Sequence, residues 1–292
     1  SDAGQTTIRL RHAYGEWGDF GAGQYWSPFM DIDVFPNSQE YWGPTGMPFF
    51  RNIQVRWMPI RGKHNLTFAL EDPGASRDPA AEELEEFIGN RNIRARFLVP
   101  DFSASYKLDG DWGYVRAGGI LRYIEWEDED RTDGNDISDD TMGWGINLSS
   151  NIKLGPNGSV LKLLVMHGEA VQNYMNDAGG DIGLEVSNGK ISGEPIPVTG
   201  TVLFYDYYWS ERWSSTIGFS TIDMDNTNGQ AADAYHKGRY ALTNLQYHPS
   251  PKLMFGAELQ YGKRENFKDG WDYDAVKVQF SARYNWSFGL GG

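Results

Sequence analysis

The segment that decides the fold reads VKVQFSARYNWSF, Val276 to Phe288. Its even-numbered residues (Val276, Val278, Phe280, Ala282, Tyr284, Trp286, Phe288) are apolar or aromatic, and its odd-numbered ones (Lys277, Gln279, Ser281, Arg283, Asn285, Ser287) are polar or charged. Side chains on a strand alternate between two faces, so this run is a strand with one apolar and one polar surface.

The alternation recurs along the chain. In NIQVRWM (52–58), Ile53, Val55 and Trp57 alternate with Asn52, Gln54 and Arg56; KLMFGAELQYG (252–262) places Leu253, Phe255, Ala257, Leu259 and Tyr261 on one face. In TIRLRHAY (7–14), Ile8, Leu10 and Tyr14 read as the apolar set against Arg9 and Arg11. Period-2 runs between turn signals give about thirteen strands, near 7–16, 20–29, 49–59, 64–71, 92–108, 112–125, 141–154, 159–170, 197–209, 212–222, 238–248, 252–264 and 274–288.

Short and long connections strictly alternate. EWGDF, PIRGK, LDGDW, LGPNGS, WSERW and HPSPK carry tight-turn chemistry, whereas 30–48, 72–91, 126–140, 171–196, 223–237 and 265–273 are long. A meander with all its long loops at one end is the pattern of an outer-membrane barrel. The expected fold is therefore all-β, a transmembrane antiparallel β-barrel forming a single domain over 1–292. The last strand descends toward the short turns, and counting back makes the first one descend too. An even-stranded barrel would then need one or three further strands upstream, giving 14 or 16.

Composition agrees. The 292 residues include 14% aromatics, 11 Trp and 35 Gly, yet mean hydropathy is only -0.55, because strand alternation dilutes apolar residues and leaves no helical span. Aromatics gather near strand ends: Trp112 and Tyr114, Tyr123 and Trp126, Tyr205, Tyr207, Trp209 and Trp213, Tyr284 and Trp286. This is the pattern of interfacial girdles. There is no Cys, and the net charge of -14 argues against nucleic acid as a partner. G-x-S-x-G, H-E-x-x-H and P-loop signatures are missing, so neither catalysis nor a cofactor is expected.

RLRHAYGEWGDFGAGQYWSPFMDIDVFP (9–36), RNIQVRW (51–57), LQYGKREN (259–266) and the last strand together resemble the DcaP-like family of outer-membrane porins. The resemblance implies a 16-stranded homotrimeric barrel, with three strands ahead of the stretch matching Arg9 to Pro36, that passes small anionic solutes such as dicarboxylates.

The alternation itself assigns a basic inner face to Arg9, Arg11, Arg56, Arg94, Arg96, Arg116, Arg122, Lys153, Lys162, Lys277 and Arg283, with Asp101, Asp206 and Glu258 as inward acids. In a narrow low-dielectric passage such cations favour anions; the bland reading is that they pair with the acids of an inserted loop. Met30 to Pro48, MDIDVFPNSQEYWGPTGMP, is too rich in Pro and Gly for a helix and too apolar for a solvated loop. It is a candidate constriction loop that holds Trp42, with Asp31, Asp33 and Glu40 facing Arg residues across the eyelet; a cap at the mouth is the alternative.

In FLVPDFSAS (97–105) the apolar phase changes at Pro100, which predicts a bulge or register change. DPAAEELEEFIGN (78–90) reads as a short helix. EWEDEDRTDGNDISDD (125–140) reads as a solvated acidic loop or a divalent bridge to lipopolysaccharide, since the barrel's surroundings would be outer-membrane lipid and lipopolysaccharide. Three rivals to the anion channel remain: a general or sugar porin, a soluble aromatic-rich glycan-binding β-protein, and a barrel lipase.

Overall fold

The computed structural model describes residues 10–40, 43–74, 93–128, 136, 138–176 and 178–286, and of Ile93, Arg94 and Ile191 the backbone alone. The strands are β1 (Ala13–Trp17), β2 (Phe20–Trp26), β3 (Arg51–Ile60), β4 (His64–Glu71), β5 (Ile93–Arg96), β6 (Asp101–Gly110), β7 (Gly113–Asp128) and β8 (Asp139–Leu154). They continue with β9 (Ser159–Glu169), β10 (Ile182–Ser187), β11 (Lys190–Pro195), β12 (Pro197–Tyr208), β13 (Trp213–Met224), β14 (Tyr235–Ser250), β15 (Leu253–Asn266) and β16 (Asp272–Tyr284).

One antiparallel sheet of 14 strands runs as a meander from β1 to β16, with β5 added beside β6 on β7. The thirteen spans expected from the sequence correspond to it once β5 and β6 are taken as one interrupted strand. The interruption is at Pro100: β5 pairs β7 with Arg96 opposite Glu125, and β6 resumes with Phe102 opposite Leu121, two residues out of step. β10 and β11 form a separate hairpin in the connection expected to be an irregular loop.

The sheet has a lipid face. On β16, Val276, Val278 and Phe280 are 64%, 62% and 79% exposed, and β3, β8, β13 and β15 expose Val55, Leu148, Ile217 and Leu259 in the same way. Trp213 and Tyr247 meet across strands at the short-turn end, ring centroids 4.6 Å apart. Two of the expected girdle aromatics are corrected: Tyr114 and Trp126 lie on the inner face and are buried.

The sheet curves around its own connections. Residues 27–50, between β2 and β3, touch side chains of β6, β7, β8, β9, β12, β13, β14, β15 and β16 on one face only. Phe29, Met30, Val34 and Met47 of this segment pack against Leu164, Met166, Val202, Phe204, Ile222 and Leu242 of the wall, so the apolar core sits inside the curve. Each such side chain contributes on the order of 1.5–3 kcal/mol by leaving water. Among the described residues, β1 and β16 are the two edges and run in the same direction.

Candidate pore and its inserted segments

An extended segment inside a barrel must satisfy its own backbone. The carbonyls of Asp33, Phe35 and Asn37 accept from Asn151 (2.7 Å), Lys162 (2.5 Å) and both Asn244 (2.8 Å) and Gln246 (2.6 Å). Asn147 donates to Phe29 in the same manner. The wall side chains act as a ladder to which residues 27–40 adhere. At the far end of the segment, Gly46 lies against Gly200 and the backbone of Thr201 and Thr221, and a Cβ on either glycine would overlap the other's chain. The described residues between Met30 and Pro48 thus lie against the inner side of the sheet.

Its acids meet wall groups. Buried Asp31 accepts from Tyr114 Oη (2.8 Å) and Ser149 Oγ (2.5 Å). Asp33 pairs with Lys107 at 3.1 Å, and Glu40 pairs with Lys277. The partners are hydroxyls and lysines, not the arginines anticipated from the sequence. Trp42 lies outside the described residues.

A second insertion locks onto the first. Residues 170–182 bring Val171, Tyr174 and Met175 into the same core. Phe49 N donates to Tyr174 O (2.8 Å), and Pro48 bridges Met175. The Tyr174 hydroxyl donates to Asp101 at 2.9 Å. Burial, and then the negative charges of Glu71 and Asp101, hold this phenol protonated well above its ordinary range. Arg122, fully buried, pairs with Asp101 and Asp181 at 3.0 Å each and donates to Ala170 O at 2.7 Å.

The predicted cations therefore separate. Arg56 and Arg116 share a cavity of about 230 Å³ with Lys107, Asp31, Asp33, Asn65, Thr67 and Ser105. Arg56 donates to Trp26 O and Gln54 Oε1, both at 2.6 Å, and its guanidinium lies 5.3 Å from the Tyr14 ring centre. Arg116 is 9% exposed, gives one nitrogen to Pro28 O at 2.5 Å, and keeps its Nη1 without a hydrogen-bond partner. Lys277 and Arg283 share the inner phase of β16 with Gln279 and Ser281; Arg283 lines a second space of about 410 Å³ with Gln246, His248 and loop residues 35–38.

Arg122 and Lys162 are also on the inner face but are sealed beneath the insertions, Lys162 paired to Asp206 at 2.8 Å. The inward acids Asp101, Asp206 and Glu258 are all buried.

Two assignments, Arg96 and Arg11, differ, and two more, Arg94 and Arg9, have side chains outside the described residues. Arg96 pairs with Glu127 on the outer face of β5 and β7, because the apolar phase ahead of Pro100, Ala95 and Phe97, packs inward against Ile124 and Trp126 instead of facing lipid. Arg94 pairs through its backbone with Glu127, and its side chain is outside the described residues. Arg11 is exposed ahead of β1, and the inner phase there belongs to Tyr14, which stacks on Tyr25 under Arg56. Arg9 lies outside the described residues, as do 78–90 and most of the acidic loop between Asp128 and Ser138. Lys107 was missed, although the phase change after Pro100 is the signal that turns it inward.

A family model described as DcaP outer membrane protein matches residues 1–286. A comparison with curated proteins found no match. Among solved structures, the outer membrane channel DcaP of Acinetobacter baumannii superposes with a TM-score of 0.79 at 21% identity, covering 97% of this chain and 77% of that one. Outer-membrane expressed OmpT of Vibrio cholerae gives 0.58 at 15% identity, covering 95% and 81%. The trimer form of in-vitro folded OmpT gives 0.54 at 13%, covering 91% and 76%. With one inner wall, one lipid wall and a family model spanning both, this chain belongs to the DcaP outer membrane protein family and is an integral, porin-type β-barrel of the outer membrane.

Proposed function

We propose that the protein is a passive diffusion channel for small anionic solutes such as dicarboxylates, forming a single barrel domain in which residues 30–48 constrict the pore. The observation that carries the reading is the cavity shared by Arg56, Lys107 and Arg116, whose buried Arg116 Nη1 has no hydrogen-bond partner. A carboxylate accepts readily from a guanidinium, and in this low-dielectric setting the contact offsets part of the solute's lost hydration. The insertions fill the lumen against β7–β9 and β12–β14, which directs passage along the polar walls of β3, β4 and β6 and of β15 and β16. No covalent chemistry is required.

An odd number of additional strands would close β1 to β16 antiparallel, and a homotrimer fits the trimer form of the OmpT relative. The test is the reversal potential of single channels in a salt gradient: Arg56→Ala with Arg116→Ala lowers the anion-over-cation permeability ratio several-fold. An unchanged ratio removes these residues from the passage.

A second reading, a general porin, draws on the pairing of Lys107 with Asp33 and Lys277 with Glu40, which cancels part of the cationic lining. A wild-type reversal potential near zero would select it.

A further inference from the structure

The outer face changes character abruptly at one level across six strands. Leu163, Leu203, Phe219, Ala241, Tyr261 and Val276 form a row of register partners that is wholly apolar or aromatic. The next outward row toward the long loops is Val165, Thr201, Thr221, Arg239, Lys263 and Asp274. One step further, Asp223, Lys237, Glu265 and Asp272 stand side by side. Long loops mark the extracellular end of a barrel, so this shelf lies at the headgroup level of the outer leaflet.

Arg239 and Lys263 are direct cross-strand partners. Like charges placed opposite each other are destabilising unless an anion lies between them. Glu265 serves both, at 3.4 Å from Arg239 and 3.1 Å from Lys263, yet the Arg239 side chain remains 57% exposed. Asp272 takes Lys263 at 2.9 Å and is itself 57% exposed. A surface of paired cations flanked by exposed carboxylates and threonine hydroxyls suits a phosphorylated sugar headgroup. The cations meet phosphate oxygens directly, and a divalent cation can join another phosphate oxygen to a carboxylate.

We propose that this shelf on β13–β16 is a binding site for the phosphorylated diglucosamine headgroup of lipopolysaccharide, with Arg239 and Lys263 as its phosphate contacts and Asp272 and Asp274 as the carboxylates bridged through a divalent cation. The acyl chains then lie on the apolar rows below.

Native mass spectrometry of the detergent-purified channel, titrated with bisphosphorylated lipid A in Mg²⁺, tests the site. The wild type retains lipid A. Arg239→Ala with Lys263→Ala weakens retention about tenfold, while single-channel conductance, which these outward residues do not touch, reports correct folding. On the wild type alone, removing both phosphates from the lipid, or chelating Mg²⁺ with EDTA, produces a loss of the same order. Equal retention of dephosphorylated lipid A, equal retention of phosphatidylglycerol, or an unaffected double variant overturns the proposal. So does efficient disulfide cross-linking between copies through Arg239→Cys in this Cys-free chain, which would make the face a subunit interface.

Discussion

Arg122 is held from three sides, by Asp101 of β6, by Asp181 and by the carbonyl of Ala170. Removing it leaves two buried carboxylates facing each other, so Arg122→Ala is expected to cost about 3–5 kcal/mol, read as a lowered guanidinium midpoint in phospholipid vesicles. Replacing the set together, Arg122→Met with Asp101→Asn and Asp181→Asn, recovers much of that loss, because the penalty lies in the stranded charges. Lys277 presents the opposite case, half-exposed and paired with Glu40. Glu40→Gln frees its charge and raises the anion-over-cation permeability ratio, whereas Lys277→Ala lowers it; a shift of the same sign in both variants would place this pair outside the passage. Single residues were legible where one phase of a strand is plainly charged, as on β16. They were not legible at TIRLRHAY, where an inner face built of Tyr14 and Tyr25 beneath Arg56 uses aromatic rings as cation platforms and so resembles the lipid side.

The segment between β2 and β3 depends on close approach as much as on hydrogen bonds. Gly46 and Gly200 allow two backbones to touch where any side chain would hold them apart. Gly200→Val is expected to lift residues 44–48 from the wall and raise single-channel conductance, with outer-membrane assembly retained; an unchanged conductance would show that this end of the segment does not limit the pore. The sequence of Met30 to Pro48 announced an element that must pack somewhere, since it holds apolar residues without helix or strand periodicity. Its partners were hidden because they are spread over nine strands and become neighbours only when the sheet curves. The β10–β11 hairpin was legible in principle. Asn188 and Gly189 both take positive φ, 51° and 76°, in the two-residue turn that Asn-Gly favours between alternating strands. The signal was submerged in a connection read as one loop. The interruption between β5 and β6 was visible as a phase change at Pro100, but the apolar phase ahead of it, Ala95 and Phe97, packs inward with Ile124 and Trp126, and that inner cluster, which leaves Arg96 outside, forms only when the strand pairs with β7.

At the scale of the molecule, the same sheet faces two apolar media over part of its circumference. On β9, Leu164 and Met166 face the inserted segments while Leu163 and Val165 face lipid, so LLVM reads as a continuous apolar run. Strict alternation survives where the inner face borders the open passage, as on β3 and β16, and those strands made the architecture legible. This asymmetry gives a direct test of which wall is which. Phe280 lies midway along the exposed apolar row of β16, and its neighbour Gln279 shares the inner face with Glu258 across the ladder. A charge at the bilayer midplane costs a barrel about 2–4 kcal/mol, whereas a polar-to-charged change in a wet lumen stays within roughly 0.5 kcal/mol. Phe280→Arg is therefore expected to lower the guanidinium midpoint in vesicles strongly and leave the permeability ratio of any folded channels unaltered. Gln279→Arg should do the reverse, leaving the midpoint in place and raising anion preference. If the two variants exchanged these effects, the phase of β16, and with it the assignment of Lys277 and Arg283 to the passage, would be inverted.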